Sequence, residues 1–401
     1  MSRHTPKNMG RREFLGKAAA ATAGLTFVRA GAVASTRANS AIEIGLIGSG
    51  RRGCWIGNLF REHGNYRFAA ACDIFDDRLE AARNELGVPA DRCYKGLESY
   101  KELLTCKLDA VAVMSPPYCH PEQAAAAIEA GVHLYLAKPV ATDVPGCKIV
   151  MAAGQEAARR NLSFLVDFQT RTMEPFQEAV RRVHGGAIGT PVCGQVYYHT
   201  GEIPYKVEPV PGDPAVRLRN WLQDRRLSGD ILVEQNVHAT DVGDWLLRGH
   251  PIRAFGTGGR QGRTGWGDCW THFNVIFWYP GDVRVSFSSS QFGATPGSDI
   301  RSRIFGTDGC VDTHYRGKIA IAGKNPYDGG EVLDTFPQGA INNIKMFEKH
   351  LRAGEPFNNA RVSAESSLTT ILGRTAAFRG AQINWDEMMT ADERLDPELE
   401  L

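Results

Sequence analysis

The sequence predicts an α/β protein in two parts: a doubly wound parallel sheet, then a C-terminal α+β domain with a largely antiparallel open sheet. Three observations predict it. Between residues 42 and 166 short apolar runs alternate with helical stretches, and the runs are nearly continuous, as in strands covered on both faces. The first run leads directly into Gly48-Ser49-Gly50-Arg51-Arg52-Gly53, a glycine-rich strand-to-helix turn. After about residue 190 the apolar period drops toward two. A chain of 401 residues is also too long for one ordinary core.

In chain order the first element is a leader. Arg3, Lys7, Arg11 and Arg12 make a positive start, Ala18 to Val28 is mildly apolar, and Ala32-Val33-Ala34 has the small-x-small form of a cleavage site. Arg11-Arg12 followed by Glu13-Phe14-Leu15 resembles the twin-arginine export signal, with Gly10 where Ser or Thr is usual. Residues 1–40 are therefore expected to be a removable signal and linker, and the mature chain to reach the periplasm or beyond without stable membrane insertion. The competing reading is a disordered cytoplasmic extension. No cysteine precedes Cys54, which argues against a lipoprotein anchor.

Residues 41–166 form the predicted nucleotide domain. Its strands are expected at Ile42 to Ile47, Arg67 to Cys72, Leu108 to Met114, Val132 to Leu136 and Leu162 to Val166. The clearest helices between them are Pro121 to Ala130 and Val144 to Arg160. Residues 167–401 form the second domain, for substrate and oligomer contacts. Val192 to His199, Trp270 to Trp278 and Asp282 to Ser288 read as its longer strands, with Tyr279-Pro280-Gly281-Asp282 as a turn. Helices are expected at Glu174 to His184, Asp230 to Leu247, Ala340 to Arg352 and Ser363 to Arg379.

Bulk numbers exclude several classes. The formal net charge is +1 and no long Lys or Arg run occurs, so a nucleic-acid partner has no electrostatic support. The nine cysteines form no CxxC pair and no disulfide-like spacing, and several sit in apolar runs as small hydrophobes. No metal site is expected.

The glycine turn fits G-x-G-x-x-G in a strand–turn–helix context. Gly48 permits the tight turn, Gly50 a close backbone approach, and Gly53 close helix–strand packing. The backbone of Ser49, Arg51 and Arg52 then offers N–H groups to a pyrophosphate. Asp73 ends the second strand 20 residues past Gly53, where an acid meets the adenosine ribose. Ile74 and Phe75 supply no cation for a 2′-phosphate, which favours NAD over NADP. Ser115 and Pro116, Lys138 and Gln169 follow later strands, where ligands of open α/β sheets bind.

Two stretches then resemble one family. Residues 113–141, VMSPPYCHPEQAAAAIEAGVHLYLAKPVA, are similar to the sugar oxidoreductases named after glucose-fructose oxidoreductase and inositol dehydrogenase, through Pro116, His120, Lys138 and Pro139. Ala137 stands where that family usually has a Glu associated with the nicotinamide ribose. Ser228 to Leu247, SGDILVEQNVHATDVGDWLL, resembles the family helix that carries an acid, a His and an Asp, here Glu234, His238 and Asp241. The likeness extends over about residues 41–390 and implies an NAD-linked enzyme acting on a carbohydrate, in an architecture that often pairs through its open sheet.

The residues then suggest a chemistry. Glu234, His238 and Asp241 lie at i, i+4 and i+7, one helical face, so an acid is expected to orient the histidine. His238 takes the hydroxyl proton, and Lys138 stabilises the developing alkoxide. His120 is expected beside the nicotinamide. Arg171 and His272 are expected at substrate hydroxyls, with Tyr197, His199, Trp266 and Trp270 as weaker aromatic candidates. Outside the cytoplasm NAD cannot be freely exchanged, so tightly held cofactor is expected. Three readings follow: a sugar or polyol oxidoreductase, a redox-neutral NAD-dependent glycoside hydrolase, and a non-catalytic sugar-binding protein.

Overall fold

The structure is a computed structural model and describes residues 40–399, except 209, 211 and 294–296. Apart from Ser40, the expected leader of residues 1–40 lies outside the described residues.

The first sheet has six parallel strands: β1 (Ile42–Ile47), β2 (Tyr66–Asp73), β3 (Cys93–Lys95), β4 (Ala110–Val113), β5 (His133–Leu136) and β6 (Phe164–Val166). Their order is β3-β2-β1-β4-β5-β6, so the chain runs outward from β1 in both directions. Five of the six follow the apolar runs. The sixth, β3, is a three-residue edge strand too short to carry a pattern. Strand period explains the double burial. Leu134 and Leu136 enter one core while Tyr135 enters the other, and Val111 and Val113 oppose Ala110 and Ala112 in the same way.

Helices α1 (Arg51–His63), α2 (Asp76–Leu86), α3 (His120–Glu129) and α4 (Val144–Arg159) connect these strands. The start of α4 is fixed locally: Asp143 Oδ1 accepts from Gly146 N at 2.8 Å, and Pro145 sits in the first turn.

Helix α5 (Glu174–His184) leads to a nine-stranded sheet. Its strands are β7 (Pro191–Thr200), β8 (Arg253–Gly259), β9 (His272–Tyr279), β10 (Val283–Gln291), β11 (Asp299–Gly306), β12 (Gly309–His314), β13 (Gly317–Gly323), β14 (Tyr327–Val332) and β15 (Ile383–Asn384). All neighbours are antiparallel except β7 with β10. The expected strands appear as β7, β9 and β10, and Gly281 at φ 77° makes the turn between the last two. Strands β8, β11, β12, β13, β14 and β15 were not expected; in β8 (RAFGTGG) and β14 (YDGGEV) glycine and charge hide any period of two. Their neighbours supply the pairing that their own residues do not signal.

Two further helices, α6 (Ile231–Glu234) and α7 (Val237–Leu247), replace the single helix expected from Asp230 to Leu247. Helices α8 (Thr335–Ala353) and α9 (Ala360–Arg379) complete the core. Helix α8 falls within residues 167–401 and packs on the first sheet. Its Ala340, Ile344 and Phe347 join Ile44, Phe60 and Tyr135 in the first sheet's core. The Phe347 and Phe60 rings both meet Tyr135 edge-on, at 5.7 and 5.0 Å. The chain then covers the free edge of β6: Phe164 N donates to Phe357 O, and the Asn359 side chain takes both backbone groups of Val166. No described helix is long and apolar enough to cross a membrane. All nine cysteines are free thiols.

Candidate active site

The glycine turn has the shape its spacing predicts. Gly48 sits at φ +85°, and a Cβ there would lie 2.6 Å from Ser115 N. A Cβ on Gly53 would collide with Gly48 O. Helix α1 begins at Arg51 with no side-chain cap and no acid in its first turn. Its free N–H groups and positive end therefore suit an anion, and the cradle fits a dinucleotide pyrophosphate.

Asp73 is buried at the end of β2. Its Oδ2 accepts from Ser49 N at 2.9 Å and its Oδ1 from Phe75 N at 3.1 Å. Burial raises its pKa, opposed by Arg78, whose guanidinium is 3.7 Å away. Ile74 and Phe75 supply no cation, but two arginines from farther along the chain stand near Asp73 and Phe75. Arg78 lies one helical turn beyond Phe75. Arg219, from the short helix Pro214–Arg219, stacks 3.9 Å from the Phe75 ring and pairs with Asp77 at 2.7 and 3.0 Å. Folding brings both to the ribose end, and adjacent residues alone do not reveal them.

Arg51 is exposed, whereas Arg52 turns inward and donates to Asp167 Oδ2 at 2.6 Å. Asp167 is fully buried after β6 and also receives Asn343 at 2.8 Å and Gln169 at 3.1 Å. Gln169 in turn accepts from the Tyr315 hydroxyl at 3.0 Å. The rule that selected Gln169, a polar group beyond a strand's carboxyl end, also selects Asp167. Tyr315, between β12 and β13, has no sequence signal.

Both ring nitrogens of His120 face backbone carbonyls. Its Nδ1 lies 2.7 Å from Pro139 O and its Nε2 lies 2.8 Å from Ser115 O, so the single N–H of the neutral ring donates to the loop after β5 or to the loop after β4. The Ser115 hydroxyl is likewise engaged, with Gln123 at 2.5 Å. Burial lowers the His120 pKa to about 4. An unfolded histidine titrates near 6.5, so between these values the unfolded chain binds a proton that the folded chain refuses. The His120 contribution is whole above pH 6.5 and is lost as pH falls toward 4, on the order of 3 kcal/mol. Urea unfolding across this range is expected to show a shallower pH slope for His120→Gln than for the wild type, by about one proton. Equal slopes would assign the acid sensitivity elsewhere.

Lys138 and Glu234 meet across the two sheets. Lys138 Nζ donates to Glu234 Oε1 at 2.9 Å and to Glu234 O at 2.5 Å, with both residues more than nine-tenths buried. Burial lowers the Lys138 pKa, and Glu234 opposes that shift. The break between α6 and α7, at Gln235 and Asn236, dissolves the single face expected for the three helix residues. Glu234 turns to Lys138. Asp241 is fully buried and binds Arg171 through both carboxylate oxygens, at 2.8 to 3.2 Å, and accepts from Ser366 Oγ at 2.7 Å. Neither acid bonds to His238. Arg171 is accordingly held by Asp241 and by the Trp245 ring, 5.0 Å away.

His238 is 7% exposed, and its Nδ1 is sealed without a hydrogen bond. Burial, then Lys138 and Arg52, push its pKa well below the usual value. Asn236, two residues earlier, is fully buried with both side-chain polar atoms unpartnered. The remaining aromatic candidates lie elsewhere. His272 pairs across β10 Ser290 with His199, on the sheet face opposite the helices, because Phe273 takes the inner face against Trp270 and Phe378. Tyr197 shares that outer face beneath Arg301, while Tyr198 points inward and donates to Gln235 Oε1 at 3.0 Å. Trp270 stacks on Phe378 at 3.9 Å, and Trp266 offers its backbone oxygen to the Tyr205 hydroxyl at 2.6 Å.

Residues 42–165 match the model described as "Oxidoreductase family, NAD-binding Rossmann fold", and residues 176–312 match the GFO/IDH/MocA C-terminal domain. The chain belongs to the GFO/IDH/MocA oxidoreductase family. It is 23% identical to the myo-inositol 2-dehydrogenase of Thermotoga maritima, over 85% of this chain and 96% of that one. It is 24% identical to the scyllo-inositol 2-dehydrogenase (NAD(+)) of Bacillus subtilis, over 84% of this chain and 94% of that one. The aldose-aldose oxidoreductase of Caulobacter crescentus has the same fold, with a TM-score of 0.68 and 18% identity over 86% of this chain and 99% of that one.

Proposed function

We propose that this chain oxidises a ring hydroxyl of a sugar or cyclic polyol with NAD as acceptor. The observation that carries the reading is the buried Lys138–Glu234 pair, which joins a strand end of the nucleotide domain to the helix leading into His238. Kinship with a myo-inositol 2-dehydrogenase and with a scyllo-inositol 2-dehydrogenase (NAD(+)) supports it. The glycine turn, the start of α1 and Asp73 would hold the cofactor, which when bound would supply the hydride acceptor for the substrate carbon. Lys138 Nζ hydrogen-bonds the hydroxyl oxygen and stabilises its growing negative charge. An imidazole nitrogen of His238 takes the hydroxyl proton. Substrate CH–OH thus becomes C=O, one proton rests on the histidine, and a hydride's two electrons leave with the cofactor.

The same proposal includes export through the leader, a cofactor retained between turnovers, and pairing of two copies. The leader motif supports the first two. The outer face of the second sheet, with Phe255 and Ile276 exposed, supports the third. The test is direct. Purified protein with NAD and myo-inositol is expected to develop reduced-nicotinamide absorbance. His238→Ala is expected to lose roughly two to four powers of ten in that rate while still binding NADH by fluorescence. A wild-type rate in His238→Ala would overturn the reading. Aglycone release from glycosides without added cofactor would select the redox-neutral cycle instead.

A further inference from the structure

A general base works only if its lone pair points at the substrate, so something must hold the proton on the far nitrogen. Here the carboxylates of the same segment are committed elsewhere: Glu234 to Lys138, Asp241 to Arg171, Asp244 to the Tyr279 hydroxyl and Asp230 to the backbone of Ile231 and Trp270. Of the two ring nitrogens of His238, only Nδ1 is both sealed from solvent and unpartnered. A small cavity borders the ring, lined also by Thr170, Ser302, Thr313 and Tyr315. Three of these hydroxyls already donate: Ser302 to Ala239 O at 2.7 Å, Thr313 to Ser302 O at 2.9 Å and Tyr315 to Gln169 Oε1 at 3.0 Å. The Thr170 hydroxyl is 1% exposed as a residue, sealed and unpartnered. Among the residues that line the cavity, three therefore carry a buried polar atom with no hydrogen bond: His238 Nδ1, Thr170 Oγ1 and Arg301 Nε, of which the last is a donor paired with Asp299 at 3.3 Å. The cavity is small, on the scale of a single water.

We propose that a water in this cavity bridges His238 Nδ1 and Thr170 Oγ1, which makes Thr170 a positioning residue that keeps the imidazole proton on Nδ1 and the lone pair on Nε2. The inference rests on His238 being the base of the reaction proposed above. Nδ1–H donates to the water, the water donates to Thr170 Oγ1, and the lone pairs of Ser302 and Thr313 offer further acceptors. The charges around the ring give no substitute. Lys138 and Arg52 are cationic and depress its basicity. Glu234 faces Lys138, Asp167 faces Arg52, and Asp241 faces Arg171. The Phe168 and Tyr315 rings, 6.4 and 5.4 Å away, flank the imidazole. A bridging water is then what stabilises the protonated ring during turnover.

The test reads the tautomer directly. The full chain is labelled with ¹⁵N-histidine, ring protons are correlated with ring nitrogens by NMR, and the His238 signals are assigned by their loss in His238→Gln. The wild type and Thr170→Ser are expected to carry the proton on Nδ1. Thr170→Val, nearly the same shape without the hydroxyl, is expected to shift the balance toward the Nε2 proton by roughly tenfold, the equivalent of one hydrogen bond. A wild type protonated on Nε2, or a Thr170→Val spectrum identical to wild type, overturns the inference. Undiminished reduction by His238→Ala instead overturns the function reading, and the tautomer measurement still decides the water bridge.

Discussion

Replacing Lys138 by methionine is expected to stop dinucleotide reduction and to destabilise the fold at once. Methionine keeps the length of the side chain and removes its charge. Without the ammonium, the alkoxide developing on the substrate oxygen loses its nearest donor, which costs about two to three powers of ten in rate. Glu234 meanwhile remains more than nine-tenths buried with its partner gone. Leaving one member of a buried pair uncompensated typically costs about 3–5 kcal/mol. The two losses separate in the double variant Lys138→Met/Glu234→Gln, where no buried charge is stranded. Its urea midpoint is expected to return most of the way to wild type, while the rate stays low. Rapid reduction by the single variant would remove Lys138 from the chemistry, and a double variant as unstable as the single would show that charge pairing is not what the site needs for stability.

The first half of the site was legible because its requirements are local. Gly48 must adopt a positive φ, Gly53 must clear Gly48 O, and Asp73 must end the next strand, and all three act within one strand–helix–strand unit. Lys138 was found for a related reason, since a strand end in an open α/β sheet points at the ligand crevice. Helical periodicity failed further along. It placed Glu234, His238 and Asp241 on one face, but the helix breaks at Gln235 and Asn236, and tertiary partners then claim each acid separately. His272 failed for a different reason. Its residue type suited a sugar site, yet a one-residue step along a strand puts it on the opposite face from Phe273. Arg78, Arg219 and Tyr315 are brought to the site by the fold from other elements, and no local pattern marks them. Six of the nine strands of the second sheet stayed hidden, and in β8 and β14 the reason is that glycine-rich pairing surfaces carry no apolar alternation.

Asp241 gives the second large effect, and there structure and sequence expectation predict different outcomes. If Asp241 oriented His238, its loss would change the pH dependence of the reaction while sparing the fold. The geometry assigns it to the fold. Its fully buried carboxylate holds Arg171 through two parallel bonds and takes a third from Ser366 on α9, so it ties the segment after β6 to α7 and α9. Asp241→Ala strands the Arg171 guanidinium against Trp245, and a destabilisation of about 3–5 kcal/mol is expected in urea unfolding. Arg171→Met in the same chain removes the stranded cation and is expected to restore much of that loss, as an apolar pair of similar volume often does. Measured under conditions where all variants are folded, the double variant is expected to keep the wild-type pH profile of kcat/KM and a rate within several-fold of wild type, because the His238 tautomer does not depend on this carboxylate. A displaced acid limb in that profile would return Asp241 to the catalytic group, since a purely structural clamp has no means of shifting the titration of the base.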